Sequence, residues 1–444
     1  MNLKIFFETL GCPKNETDSE WMMTSLCRSG ALICQNPKEA NIIIVNTCSF
    51  IKEAVNESID RILELAKWKK NGSCCKLIVT GCLPQRYQKD IASALPEVDS
   101  FLGTGAYDQI NTVVFNPTLK KQCLFLNPDN CNYPTGIHRM PPNHVAYIKI
   151  AEGCSHRCTY CIIPVLRGRH RSRPVNHIIE EACWLVDNGV KEIIIVAQDT
   201  TFYGNDNPDF PDIADLLIQI IKNLKKRSFL GHIRLMYANP KHISEKLIKV
   251  IADNPILCPY IDMPIQHCSN KILKKMGRHY NQDEILTLIN TMRYYIPDIA
   301  IRTTILVGFP GETDKDLEEI ISFMKTIKFD HLGVFSYSDA DDLPSHHLPN
   351  HISEKEKENR LDSIMSLQAD LSHSKLKRYI GKTLSVLVDR FNEDNPTQLE
   401  TRSVYQAPEI DGVTWINNSN IQLGQSINVR IIKALDYDLI GVIV

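Results

Sequence analysis

Three short apolar runs near the start of the chain end in the same way, and no other feature narrows the possible folds so far. Residues 4–10, 41–46 and 75–80 each read as a strand, and each is closely followed by a cysteine: Cys12, Cys48 and Cys82. Helix-like stretches come next, over residues 18–28, 51–68 and 84–94. Strand–turn–helix units in series predict a parallel, doubly wound α/β sheet. Neighbouring parallel strands lie about 4.8 Å apart, so three such turns carry three thiols to one end of the sheet, where open α/β folds bind ligands. Gly11 and Gly81 would let backbone approach closely there. One cysteine in such a turn is as readily a packing residue as a functional one. Three in the same slot point to function.

A second series of strand-like runs covers residues 145–150, 192–197, 232–237, 260–264, 301–307 and 331–336, with helix-like sequence between most of them. Six strands are too few for a closed eight-stranded barrel and enough for a partial, TIM-like one. Ser353 and Glu356 form a capping-box pattern, and Leu361, Ile364, Met365 and Leu371 follow at helical spacing, so a long helix closes this domain. From residue 381 the pattern changes to short strands and turn residues, which predicts a small all-β barrel. The reading divides the chain into 1–116, a linker at 117–139 rich in proline and asparagine, 140–378 and 379–444.

Across 444 residues the net charge is −2, which argues against a protein coated in basic charge to grip nucleic acid. The last module carries five Lys/Arg against eight Asp/Glu and suits a basic partner surface better than a phosphate backbone. No apolar run is long enough to span a membrane and no export signal is evident, so a cytoplasmic protein is expected. Its 15 cysteines should then be mostly reduced, and their grouping favours metal or redox chemistry over disulfides.

The strongest local signal is Cys154-x₃-Cys158-x₂-Cys161, directly behind the first strand of the second series. Three thiolates on one loop can converge on one metal centre. A four-iron cluster needs four ligands, so three cysteines leave one iron open to a small molecule. A zinc site could recruit His156 or His170 as a fourth ligand, and clustered cysteines can be simple packing. The spacing lacks the paired C-x₂-C of most zinc knuckles and the loop is polar, which favours iron and sulfur. The same ligand count at Cys12, Cys48 and Cys82 implies a second cluster. Cys27, Cys34, Cys74, Cys75, Cys123, Cys131, Cys183, Cys258 and Cys268 fit no such pattern and read as packing or incidental thiols.

The Cys154–Cys158–Cys161 motif resembles that of radical S-adenosylmethionine enzymes. Together with Cys12, Cys48, Cys82 and the terminal β-module (a TRAM domain in that family), the chain resembles the methylthiotransferases over essentially its full length. The segments that carry this likeness are Gly11-Cys-Pro-Lys-Asn15 with Asp18-Ser-Glu20, Val45-Asn-Thr-Cys-Ser-Phe50, Cys161-Ile-Ile-Pro164 with Arg167-Gly168 and Ser172-Arg-Pro174, and Ala407-Pro-Glu-Ile-Asp-Gly412. Pro13-Lys14 stands where the tRNA-modifying branch has Gln-Met, so the likeness is closest to the branch that methylthiolates an aspartate β-carbon of ribosomal small-subunit protein twelve. Residues 338–344 depart from the Ser-Pro-x-Glu-Gly-Thr stretch expected there.

The resemblance implies two 4Fe-4S clusters and S-adenosylmethionine. The cofactor would bind the open iron on Cys154, Cys158 and Cys161 and, given one electron from a donor such as flavodoxin, yield a radical that takes hydrogen from the substrate. The cluster on Cys12, Cys48 and Cys82 would carry or relay sulfur. A second S-adenosylmethionine would supply the methyl group. Gln198 would contact the methionine part of the cofactor, or is a strand-end amide. Gly308 and Glu312, in Val307-Gly-Phe-Pro-Gly-Glu312, would lie on its adenine side, or form a plain strand-to-helix turn. Arg278 would pair with its carboxylate, or is a solvated helix-end charge. Arg167, Arg169, Arg171 and Arg173 alternate beside the cluster loop; they could contact ribosomal RNA, although an exposed basic loop is the default reading. The partner implied is the ribosomal protein, met free or in the assembled subunit. Two rival functions stay open: tRNA adenosine methylthiolation, and a non-catalytic zinc- or RNA-binding adaptor.

Overall fold

All six residues of Ile42–Thr47 are buried, as in a strand covered on both faces. Ile43 and Val45 enter one apolar cluster with Leu77 and Val79, while Ile42 and Ile44 enter another with Ile5 and Ile78. That two-sided burial organises the first domain. The computed structural model describes residues 3–116, 122–131, 139, 143–395, 397–417 and 421–444.

The first domain contains β1 (Lys4–Thr9), β2 (Leu32–Ile33), β3 (Ile42–Thr47), β4 (Lys76–Gly81), β5 (Ser100–Gly103) and β6 (Gln122–Leu124). They form one parallel sheet in the order β2-β1-β3-β4-β5-β6. The chain turns back on itself between β1 and β3, the switch point at which such sheets open a crevice. The three helices foreseen here all form, two of them earlier than expected. One spans Pro13–Arg28 rather than starting at residue 18, with Pro13 in the first turn, where its missing N–H costs nothing. Another begins at Cys82. The segment read as linker contributes β6, which pairs with β5; the rest of that reading falls partly on residues 117–121 and 132–138, outside those described.

The second domain holds β7 (Val145–Lys149), β8 (Ala151–Glu152), β9 (Arg171–Ser172), β10 (Glu192–Val196), β11 (His232–Leu235), β12 (Tyr260–Asp262), β13 (Ala300–Val307) and β14 (His331–Ser336). All six expected strands are present and parallel: β11-β10-β7 in one sheet, β12-β13-β14 in another, and an Ile233–Leu257 bridge between them. The result is an open, partial β/α barrel. The short antiparallel pair β8–β9 closes the base of the loop that carries Cys154, Cys158 and Cys161.

Helix Glu354–Leu376 follows, its Ser353 side chain accepting from the Glu356 N–H at 3.3 Å. Only half of the foreseen capping box forms, because the Glu356 carboxylate accepts from Arg360 Nε instead, at 2.9 Å. The final module is a closed barrel of β15 (Thr383–Phe391), β16 (Gln398–Ser403), β17 (Thr414–Asn417), β18 (Ser426–Ala434) and β19 (Leu439–Ile443). It docks on the second domain through Glu192, which accepts from Arg234 Nε and Arg402 Nη2, each at 2.7 Å. Tyr260 Oη adds a bond to Asp411 at 2.8 Å.

Candidate active site

Thr9 pairs with Asn46, and Thr47 with Gly81, so β1, β3 and β4 end level with one another. The turns that follow therefore present Cys12, Cys48 and Cys82 side by side. Gly11 has φ +96°, and a Cβ there would stand 2.7 Å from the Cys48 Cβ; the turn closes only because that space is empty. Burial pushes the Cys82 thiol up to about 12, and the Cys48 thiol also lies above its usual range. Burial pushes Cys12 upward too, but the charges of Lys14 and Arg167 outweigh it and hold this thiol below the usual range.

The second trio sits on the loop behind β8. Gly153, at φ +71°, brings the backbone against the Arg169 carbonyl with no room for a side chain. The Cys154 N–H donates to the Gly168 carbonyl at 3.0 Å, and the Thr159 N–H to that of Met276 at 3.1 Å, fixing the loop at both ends. Burial raises Cys154 to about 11 and Cys161 to about 12. The raised thiols at Cys48, Cys82, Cys154 and Cys161 keep their protons until a cation displaces them, which fits metal ligands better than free thiolate chemistry.

A latch that spacing alone could not reveal holds this loop. Asp199, buried at the end of β10, accepts from His156 Nε2 at 2.7 Å and from His242 Nδ1 at 3.1 Å, while the Thr201 hydroxyl donates to its other oxygen at 2.6 Å. These contacts hold its carboxylate well below the usual range, burial notwithstanding. Donor atoms of His156, Asp199 and His242 lie within 4.8 Å of one another. His156 thus serves the loop through Asp199, and His170 is buried with its Nε2 3.2 Å from Ser172 Oγ.

One cavity of about 540 Å³ is lined by all six cysteines. Gln198 and Arg278 lie on its wall as well. Arg278 is half-buried between Tyr160 and Tyr280, with Nη2 donating to the Pro264 carbonyl at 3.4 Å and its buried Nε without a partner among the described residues, so it is not a solvated helix-end charge. Gly308 and Glu312 do not line the cavity. Glu312 accepts from the Gly308 N–H at 2.9 Å and from Arg360 Nη1 at 2.8 Å, so its carboxylate closes a turn and ties down the Glu354–Leu376 helix.

The comparisons with known proteins agree with this layout. Residues 4–103 match the Uncharacterized protein family UPF0004, 148–324 the Radical SAM superfamily, and 380–444 the TRAM domain. A protein of Geobacter sulfurreducens named ribosomal protein uS12 methylthiotransferase RimO is 44% identical over 99% of this chain and 98% of its own. Proteins of the same name from Clostridioides difficile and Myxococcus xanthus are 43% and 41% identical, each over 99% of this chain, and over 98% and 91% of their own. The chain belongs to the RimO methylthiotransferase family. It is a radical S-adenosylmethionine enzyme, a class that uses an iron–sulfur cluster with S-adenosylmethionine. Among solved structures, TsrM of Kitasatospora setae, a radical S-adenosylmethionine methyltransferase, is similar in fold, with TM-score 0.57 at 13% identity over 78% of this chain and 77% of that one.

In this RimO-family chain only Arg169 of the four alternating arginines is exposed as expected; the other three are not a free basic loop. Arg167 is 1% exposed and donates to Asp18 at 2.6 Å and to Asn15, both on the helix behind Cys12. Arg173 is buried and paired with Glu181 at 2.7 Å, and Arg171 pairs with Asp129 at 3.1 Å. Burying a guanidinium demands a carboxylate partner, and the first domain supplies one to Arg167. The motif residues Asn15, Asp18 and Arg167 are therefore the joint between the two trios. Residues 338–344 form a second joint, where Asp342 takes a two-pronged contact from Arg86 at 2.6 and 2.7 Å and Leu343 packs on Cys82 and Leu166. Of the nine other cysteines, Cys74, Cys183, Cys258 and Cys268 are buried, and Cys75 and Cys123 are exposed.

Proposed function

We propose that this chain adds a methylthio group to the β-carbon of an aspartate in ribosomal protein uS12, the substrate in its relatives' name. The observation that carries the reading is the common cavity: two trios of cysteines, from two domains, line one space. Cys154, Cys158 and Cys161 would hold one four-iron cluster and Cys12, Cys48 and Cys82 a second, each with one iron lacking a protein ligand. When bound, the first cluster and S-adenosylmethionine supply the one-electron chemistry that removes a hydrogen from an unactivated carbon. The chain's own residues position and shield. Gln198 and Arg278 would orient the cofactor's methionine part, Arg278 through its carboxylate. The Asp199 latch holds the first trio, and Arg167 with Asp18 keeps the second at a set distance from it. Phe50, Ile51 and Phe335 make part of the wall apolar, and with substrate bound they would help to keep out water that would otherwise compete for a reactive carbon.

Anaerobic purification should give a brown protein with about eight iron and eight sulfide per chain. Mass spectrometry of uS12 and of tRNA from cells with and without this chain tests the substrate. The expected result is loss of the methylthio group from uS12 alone. Loss from tRNA with uS12 unchanged would sink the reading. Colourless, zinc-loaded protein would replace it with a binding role. An electron donor of the flavodoxin kind completes the proposed cycle.

A further inference from the structure

We infer that Lys14 is the residue that holds the side-chain carboxylate of the substrate aspartate, an inference that rests on the function proposed above. Lys14 lies two residues after Cys12, is 5% exposed and lines the shared cavity. Its Nζ sits 3.4 Å from the centroid of the Tyr237 ring, which comes from the end of β11 in the other domain. The ammonium therefore stands where the Cys12 turn of the first domain meets the strand ends of the second. Tyr237 is itself held in the left-handed region, φ +59°, with its N–H donating to Asp262 at 3.1 Å; such a conformation persists only where its surroundings impose it.

Among the described residues no carboxylate comes within ion-pair reach of Lys14. The acidic groups whose field reaches it are the Cys12 thiol two residues before it, then Asp262 and Glu152. Both carboxylates are engaged elsewhere, Asp262 by Arg302 at 2.9 Å and Glu152 by Lys149 at 2.5 Å. On the cavity wall, Arg167 is satisfied by Asp18, and Asp199 by its two histidines. That leaves two cations without a carboxylate: Arg278 in the field of Cys158 and Cys161, and Lys14 beside Cys12. A cation drawn out of water without a carboxylate is costly, and with Cys12 assigned to a cluster each marks a place for an anion brought by a ligand.

The reaction brings two carboxylates, one on the cofactor and one on the substrate. With Arg278 assigned to the first, Lys14 is left for the second. One side of the ammonium rests on the ring, and its remaining N–H bonds are available to the cavity. An aspartate carboxylate is bonded directly to the β-carbon, so gripping it fixes the reacting carbon within one bond of the grip, in the cavity that both trios line. Asparagine has the same shape without the charge, and Lys14 would be what rejects it.

The test uses anaerobically purified holoenzyme and two fluorescent uS12 peptides, one with the target aspartate and one with asparagine in its place. Wild type should bind the first about tenfold more tightly or better and modify only that one. In Lys14→Met, with iron content unchanged, the preference should fall to within about twofold, through weaker binding of the aspartate peptide. Lys14→Gln is read by the same criterion if the methionine variant loses iron. A wild type that binds both peptides equally, or a variant that keeps the full preference, overturns the assignment while uS12 modification stands. So does a variant that shifts the cluster reduction potential and leaves the preference intact, since the charge then serves the cluster. If wild type modifies neither peptide and a tRNA substrate gains the methylthio group, the proposed function falls and this inference falls with it.

Discussion

Asp18 is fully buried and flanked by two buried cations, Lys149 and Arg167, the second of them 149 residues away along the chain. Removing one member of such a group leaves an uncompensated charge, so Arg167→Met should cost roughly 3–5 kcal/mol in urea unfolding and loosen the contact between the trios. Replacing a cysteine acts differently. Cys48→Ala and Cys158→Ala should each lower iron from about eight to about four per chain, with turnover lost in both and the other cluster's spectrum retained. A full metal inventory in either variant would remove that cysteine from the ligand set. The six cysteines were legible because three share a strand-end position and three share one loop. Asp18 and Arg167 stood inside quoted motifs, yet their pairing was not legible, because a buried ion pair has no signature until the fold brings its members together.

Short continuous apolar runs specified the strands, and their level ends placed the thiols. Turn geometry decided how closely the thiols approach. Gly11→Ala would add a Cβ at φ +96° and 2.7 Å from Cys48, a strain of about 1–2 kcal/mol from backbone conformation alone. Relief by displacing Cys48 should lower iron occupancy at that trio while leaving the other filled, which iron assay and electron paramagnetic resonance would read. The helix starts were harder to foresee. Cys82 opens its helix directly behind Gly81, whose φ of +100° lets the chain turn without a loop, and no propensity argument marks that position. The capping box was half right for a similar reason: Glu356 had a competing partner in Arg360, one turn along the same helix.

The terminal barrel is locked to the rest of the molecule by Glu192, which burial would raise but which Arg234 and Arg402 hold down at about 2 against an ordinary 4.5. A carboxylate depressed in this way contributes stability above pH 4.5 and loses it as pH falls through 4.5 toward 2, roughly 3 kcal/mol in all. Glu192→Gln should flatten the acid limb of the thermal stability curve in that window; an unchanged limb would mean the docking rests on other contacts. Sequence alone determined the three-part architecture and the two cysteine trios, because hydrophobic period, turn chemistry and ligand spacing are local properties. Tertiary structure alone decided that both trios share one cavity, that Arg167 and Arg173 are interior props, that Glu312 serves a turn, and that Lys14 is left without a carboxylate. Each of those depends on which charges meet across domain contacts, and in a low-dielectric interior the partner, not the residue type, sets what a charge does.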